Sequence, residues 1–346
     1  MYHFATLFDQ NYLSRGLTLR TSMERHAGDF QLFILCLDRA SYDFFVQEKH
    51  PNTVPVQLQT VEAYFPELQA AKSNRSWVEY IFTLSPFWPL YILENHPQIP
   101  LITTMDADIF FFDSPAPLYQ ELGNKSILIT PHRFSKKHAN SIRYGVFNVS
   151  FQAFRNNTTG LSCLRLWKEQ CSAWCYDKLE NDRFADQKYL DQWPERYKDE
   201  LVVPTHAGAG VAPWNVEDLS LSIQNGKVLV NGSPLIYYHF HHLRFVTPRL
   251  LLSGLQNYQV PLNKILLNRV YAPYIAHIRA VSRQIRVWNE QQITRYNKKY
   301  SRVEIQDLVI FGYPKLFINR RLLVQIHLEP IYRSYQFLKN LIFKKT

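Results

Sequence analysis

The stretch Leu101–Ser114, LITTMDADIFFFDS, places two carboxylates, Asp106 and Asp108, between two apolar runs. The flanking runs LIT and IFFF have the composition of strands covered on both faces, so the chain surfaces for three residues and dives again. A D-x-D triplet alone is common enough in acidic turns to carry little weight. Its position at a strand end carries more. If the chain stays extended across Asp106-Ala107-Asp108, the two-residue period turns both carboxylates to one side, at a mouth rather than into the core. Hard oxygen ligands paired in this way suit Mg²⁺ or Mn²⁺, which keep positions open for substrate phosphates.

The residues before this stretch alternate between two periods. HFATLF (His3–Phe8) reads as a strand, Tyr12–His26 as a helix and FQLFILCL (Phe30–Leu37) as a doubly covered strand. ASYDFFVQEK reads as a helix, TVPVQL as a strand and VEYIFTLSPFWPLYILEN as a helix interrupted by Pro86 and Pro89. Strands alternating with helices predict an α/β fold: a mixed, mostly parallel, Rossmann-like sheet with helices on its faces and ligands at the carboxyl ends of the strands. Asp106 and Asp108 sit at such an end.

Length and charge set the frame. A chain of 346 residues, 46% apolar and 15% aromatic, can bury a large core. No run approaches the roughly 18–20 uncharged apolar residues of a membrane span, and the N-terminus lacks a signal-like segment, so a cytoplasmic location is expected. Four cysteines, Cys36, Cys163, Cys171 and Cys175, are too few for a disulfide framework. Cys171 and Cys175 share the apolar face of a helical segment with Leu164 and Trp167, which favours core thiols over half of a zinc site. The formal charge of +10 is concentrated: residues 251–346 hold 16 Lys+Arg against 4 Asp+Glu, a balance of +12, leaving −2 for residues 1–250. That asymmetry predicts a catalytic domain over 1–250 and a basic, mainly helical region over 251–346 suited to an anionic membrane surface.

Five blocks follow the D-x-D stretch in order: YGVFNVSFQAFRNN (Tyr144–Asn157), GLSCLRLWKEQCSAWCYD, RFADQKYLDQWPERY (Arg183–Tyr197), HAGAGVAPWNV (His206–Val216) and PLIYYHFHHLRF (Pro234–Phe245). With TTMDADIFFFDSP, this ordered set resembles the GT-A-fold glycosyltransferases, in particular the nucleotide-diphospho-sugar transferases of bacterial surface-polysaccharide clusters, close to glycogenin and the lipopolysaccharide galactosyltransferases. The likeness spans about Met1 to Phe245. It implies transfer of a sugar from a nucleotide donor, UDP-linked by preference, to a hydroxyl of a glycan or glycolipid, with Mn²⁺ or Mg²⁺ as cofactor.

Read residue by residue, the resemblance implies that Asp106, Asp108 and His239 hold the metal. His242 stands where related sequences carry glycine, and His241, on the strand face of His239, is a rival ligand. Asp186 and Gln187, at the start of an expected amphipathic helix, are the candidate catalytic pair, although an acid there would also stabilise a helix dipole. Ala107, Asn148, Gly208, Gly210, Trp214 and Asn215 are expected near donor or acceptor; the alternating glycines would let backbone approach a ligand, or simply form a loop. Thr6, Phe8 and Asp9, at the end of the first strand, are candidates for the nucleotide, and Lys72 and Arg75 for its diphosphate.

Two other classes share some of these features. A metal-dependent phosphohydrolase would need further acids and histidines for a second ion near Asp106, and none are nearby in sequence. A non-catalytic membrane or nucleic-acid adaptor would leave the ordered blocks unexplained. The chain carries no P-loop, dinucleotide, zinc-finger or RNA-binding signature, and nucleic acid is not an expected partner.

Overall fold

The computed structural model describes residues 1–245, 250–285 and 308–310. These fall into two compact units, Met1–His239 and Phe240 onward.

In the first unit the apolar runs become strands where both faces can be covered. β1 (Tyr2–Phe8) leads through α1 (Leu13–His26) to β2 (Phe30–Cys36), and α2 (Arg39–Glu48), its first turn capped by the Asp38 carboxylate, leads to β3 (Thr53–Gln57). Three helices follow: α3 (Leu58–Tyr64), α4 (Leu68–Asn74) and α5 (Trp77–Asn95). α5 opens with a capping box between Ser76 and Glu79. It runs on through Pro86 and Pro89 rather than breaking there, because Leu84, Phe87, Trp88 and Leu90 are buried around the prolines and offset their missing hydrogen bonds.

β4 (Leu101–Met105) and β5 (Ile109–Phe111) flank the two aspartates, and α6 (Ala116–Leu122) leads to β6 (Ile127–Pro131) and β7 (Phe147–Arg155). α7 (Thr158–Ala173) packs so closely on β7 that a Cβ on Gly160 would lie 2.1 Å from the Arg155 carbonyl oxygen. α8 (Trp193–Tyr197) and β8 (Leu201–Val202) follow. The main sheet runs β3-β2-β1-β4-β7-β6-β8. Its pairs are parallel except those of β7, which lies antiparallel between β4 and β6. Trp88, Trp167 and Trp193 anchor the core between this sheet and α5 and α7, and all four cysteines are buried and free.

A small antiparallel sheet of β9 (Leu221–Gln224), β10 (Lys227–Val230) and β11 (Ser233–Pro234) precedes β12 (Tyr237–His239), which pairs antiparallel with β5. The second unit contains β13 (Arg244–Phe245), β14 (Leu250–Leu252), α9 (Ala272–Ile285) and β15 (Leu308–Ile310). Phe240 stacks on Tyr274 there, ring centroids 3.7 Å apart. Most of the basic C-terminal region lies outside the described residues. Among the described residues, no helix is long and apolar enough to cross a membrane.

Candidate active site

β4 ends at Met105, and the chain then turns instead of staying extended: the Ile109 amide donates to the Asp106 carbonyl at 3.3 Å. Buried Ala107 forms the turn, and the two carboxylates converge through it rather than through a two-residue strand period. The third member arrives from far along the chain, at the end of β12. β12 pairs with β5 in a register that sets His239 opposite Ile109, the residue after Asp108. His239 Nε2 lies 3.1 Å from Asp108 Oδ1 and 3.6 Å from Asp106 Oδ2. One ligand atom from each of the three residues falls within 4.8 Å of the others.

The His239 ring is buried, while the Asp106 side chain keeps 41% of its surface exposed. Burial opposes charging the imidazole, but Asp108, through charge and hydrogen bond, and Asp106 together raise its proton affinity. Crowding by protein raises the affinity of Asp106, as does the Asp108 charge, against the pull of His239. Two hard oxygens and one imidazole nitrogen are a donor set that fits Mn²⁺ or Mg²⁺.

Asp186 belongs to the same electrostatic neighbourhood. Its residue is 2% exposed, and burial, reinforced by the Asp106 charge, pushes its carboxyl up to about 7, against the Ser85 hydrogen bond and backbone amides that favour the ionised form. Ser85 Oγ donates to Asp186 Oδ2 at 2.6 Å, and Trp167 Nε1 donates to the Asp186 carbonyl at 2.8 Å. Gln187 is tethered through Nε2 to the Tyr144 carbonyl at 2.8 Å. The expected amphipathic helix is absent here. Asn181, Asp182 and Ala185 have positive φ, and a 3-10 turn over Lys188–Gln192 gives way to the short α8 with Pro194 in its first turn.

The remaining candidates divide. Asn148 is buried on β7; its Oδ1 accepts from the Ser150 amide at 3.0 Å, while its Nδ2 has no protein partner. Thr6 Oγ1 is likewise buried and unsatisfied, and the Thr6 carbonyl accepts from Trp88 Nε1 at 3.0 Å. Trp214 packs edge-to-face on His239, centroids 5.2 Å apart, and donates to the His132 carbonyl at 2.8 Å.

Others are engaged in holding the fold. Asn215 satisfies its amide on Ala212, His132 and Gly210. Gly208 permits close packing, since a Cβ there would lie 1.9 Å from the Pro234 carbonyl oxygen, and Gly210 takes φ +68°. The Phe8 ring is core, filling the space beside Gly16, and Asp9 caps the turn at Asn11. Lys72 pairs with Glu62 at 2.7 Å; Arg75 bonds Thr83 and donates to the Ser172 carbonyl at 2.7 Å. His241 belongs to the second unit, where its ring lies 3.9 Å from that of His242, and His242 adopts φ +60°, the conformation a glycine would take freely.

Two residues escaped sequence reasoning. Ser85, in an apolar helix, carries no local signal of its partner. His132 is buried beside Trp214, and burial pushes its imidazole down to about 3, so it is neutral at physiological pH.

No protein-family model matches the chain. It is 30% identical over 281 residues to the uncharacterized protein YfnD of Bacillus subtilis, covering 80% of this chain and 89% of YfnD. It is 29% identical over 254 residues to YfnF of the same organism, covering 70% and 82%. Among solved structures, galactosyltransferase LgtC in complex with donor and acceptor sugar analogs aligns with a TM-score of 0.50 at 12% identity, covering 80% of this chain and 95% of LgtC. At that identity the likeness establishes the fold, which is GT-A.

Proposed function

We propose, for a chain that belongs to the same family as Bacillus subtilis YfnD and is built on the GT-A fold, that it is a metal-dependent glycosyltransferase. It moves a sugar from a nucleotide donor, UDP-linked by preference, to a hydroxyl of a glycan or glycolipid. The observation that carries this reading is the convergence of Asp106, Asp108 and His239 at the end of β4, within electrostatic reach of buried Asp186.

Asp106, Asp108 and His239 would hold Mn²⁺ or Mg²⁺, which when bound offsets the negative charge developing on the departing nucleoside diphosphate. Asp186 and Gln187 serve the reacting sugar, Asp186 supplying negative charge in its ionised form beside the carbon that changes partners. Asn148 Nδ2 and Thr6 Oγ1, buried without protein partners, are donors available to the nucleotide sugar. Among the described residues, no second group of three or more metal-capable side chains accompanies the first, which disfavours a two-metal phosphohydrolase. The +12 balance of residues 251–346 suits attachment to the anionic inner face of a membrane carrying a glycolipid acceptor.

The test is thermal stabilisation by UDP with and without Mn²⁺, followed by metal-dependent nucleotide release from a panel of nucleotide sugars. UDP at about 100 times its Kd should contribute about 2.7 kcal/mol of stability when Mn²⁺ is present. A shift indifferent to metal, with no nucleotide released from any donor, refutes the proposal.

A further inference from the structure

Ser85 lies midway along α5, followed by Pro86 and, four residues on, by Pro89. Pro89 has no N–H, so the Ser85 carbonyl lacks the helical donor it would otherwise receive, and Pro86 does the same to Phe82. A hydroxyl inside a helix usually turns back to the carbonyl four residues earlier. Thr83 does so, donating to Glu79 at 2.8 Å. Ser85 does not: it donates to Asp186 Oδ2, 101 residues away, at 2.6 Å. That separation falls in the range of a hydroxyl donating to an ionised oxygen, about 2.5–2.7 Å.

The same helix also reaches the end of β1, where Trp88 Nε1 holds the Thr6 carbonyl at 3.0 Å. α5 therefore links the strand end expected to meet the nucleotide with the carboxylate expected to meet the sugar. Among the described residues, the other titratable groups that bear on Asp186 are Asp106 from the end of β4 and the Cys171 thiol from α7. Neither contributes positive charge, so the orientation and ionisation of the carboxylate depend on hydrogen bonds. Ser85 supplies one from a side chain, and backbone amides supply the rest.

We propose that Ser85 is a positioning residue for sugar transfer, its hydroxyl fixing Oδ2 of Asp186 and favouring the ionised carboxylate. This rests on the glycosyltransferase reading above and adds a residue to it. Ser85→Ala should lower kcat about 10- to 100-fold, leave the donor KM within about twofold, and move the acid limb of the kcat–pH profile up by about one to two pH units, the worth of a hydrogen bond to a charged group. Ser85→Thr, which keeps the hydroxyl, should recover most of kcat and return the limb toward wild type.

A second readout needs no activity. Because the bond stabilises the ionised form, Ser85→Ala should destabilise the fold more at pH 8 than at pH 5, by the equivalent of about 0.7 to 1 pH unit, whereas a hydroxyl with a merely structural role would give a difference independent of pH. An unmoved acid limb, a threonine variant no better than alanine, or a stability difference flat with pH overturns the assignment. If no donor is turned over but the pH-dependent stability difference appears, the Ser85–Asp186 coupling stands and the glycosyltransferase reading is the one that fails.

Discussion

Asp186→Asn should make the protein more stable at alkaline pH while removing its activity. The magnitude comes from burial. An aspartate in the unfolded chain titrates near 3.9, whereas Asp186 in the fold titrates at about 7, because desolvation, then the charge of Asp106, disfavours its ionised form. The sign follows from proton counting: between these values the folded state holds the proton and the unfolded state has released it, so stability is fully present below about pH 4 and is lost as pH rises through 7. A displacement of about three units corresponds to about 4 kcal/mol. Asparagine cannot ionise, yet its amide oxygen can still accept from Ser85. The variant and the wild type should therefore differ by no more than about 1 kcal/mol near pH 4, with the variant ahead by about 4 kcal/mol at pH 8. Urea unfolding of metal-free protein across this range measures it, followed by tryptophan emission, since six of the seven tryptophans lie before His239 and report on the first unit. Turnover should fall at least about 100-fold with UDP affinity retained, as for a group acting at the reacting centre. A stability difference flat with pH, or a variant less stable than wild type at pH 8, would refute the reasoning, since either means that the carboxylate is not held against its ionised form.

Asp108→Asn keeps the shape of the side chain and removes one charge from the triad, so Mn²⁺ affinity, followed by the EPR signal of the free ion, should fall at least about tenfold, and His239→Ala should weaken Mn²⁺ more than His241→Ala does. The reverse order would move the ligand role to His241. Arg75→Leu leaves the Ser172 carbonyl and the Thr83 hydroxyl without their donor and should cost about 1.5–3 kcal/mol of stability with no change in donor KM; a raised donor KM at unchanged stability would restore Arg75 to the diphosphate.

The parallel half of the sheet was legible because β1, β2 and β4 are covered on both faces, so burial writes itself into the sequence as continuous apolar runs. The insertion of β7 antiparallel between β4 and β6 was not, because the polar alternates of FNVSFQAFR, Asn148, Ser150 and Gln152, are buried as well, so its period of two does not separate a core face from a solvated one. The α5 prolines misled for a related reason. Propensity scores a proline by the hydrogen bond it removes, whereas the fate of this helix was settled by how many of its neighbours are buried.

At the site, the contrast between His239 and the two cations shows what a sequence can and cannot encode. His239 was legible because a strand pattern brings it to the mouth of the fold, and its pairing with β5 needs only the register of two short apolar segments. Lys72 and Arg75 also carry the right chemistry for phosphate, Lys72 in the last turn of α4 and Arg75 in the extended residue that follows it. Whether a cation is available depends on what it meets. Lys72 meets Glu62, buried and also accepting from Tyr80, where an unpaired carboxylate would be costly. Arg75 meets a carbonyl 97 residues away, left exposed to it where α7 nears its end. Neither partner stands in any local pattern with its cation, and Ser85 was missed for the same reason in reverse: an unremarkable hydroxyl in an apolar helix acquires a role only through a carboxylate that the fold brings to it.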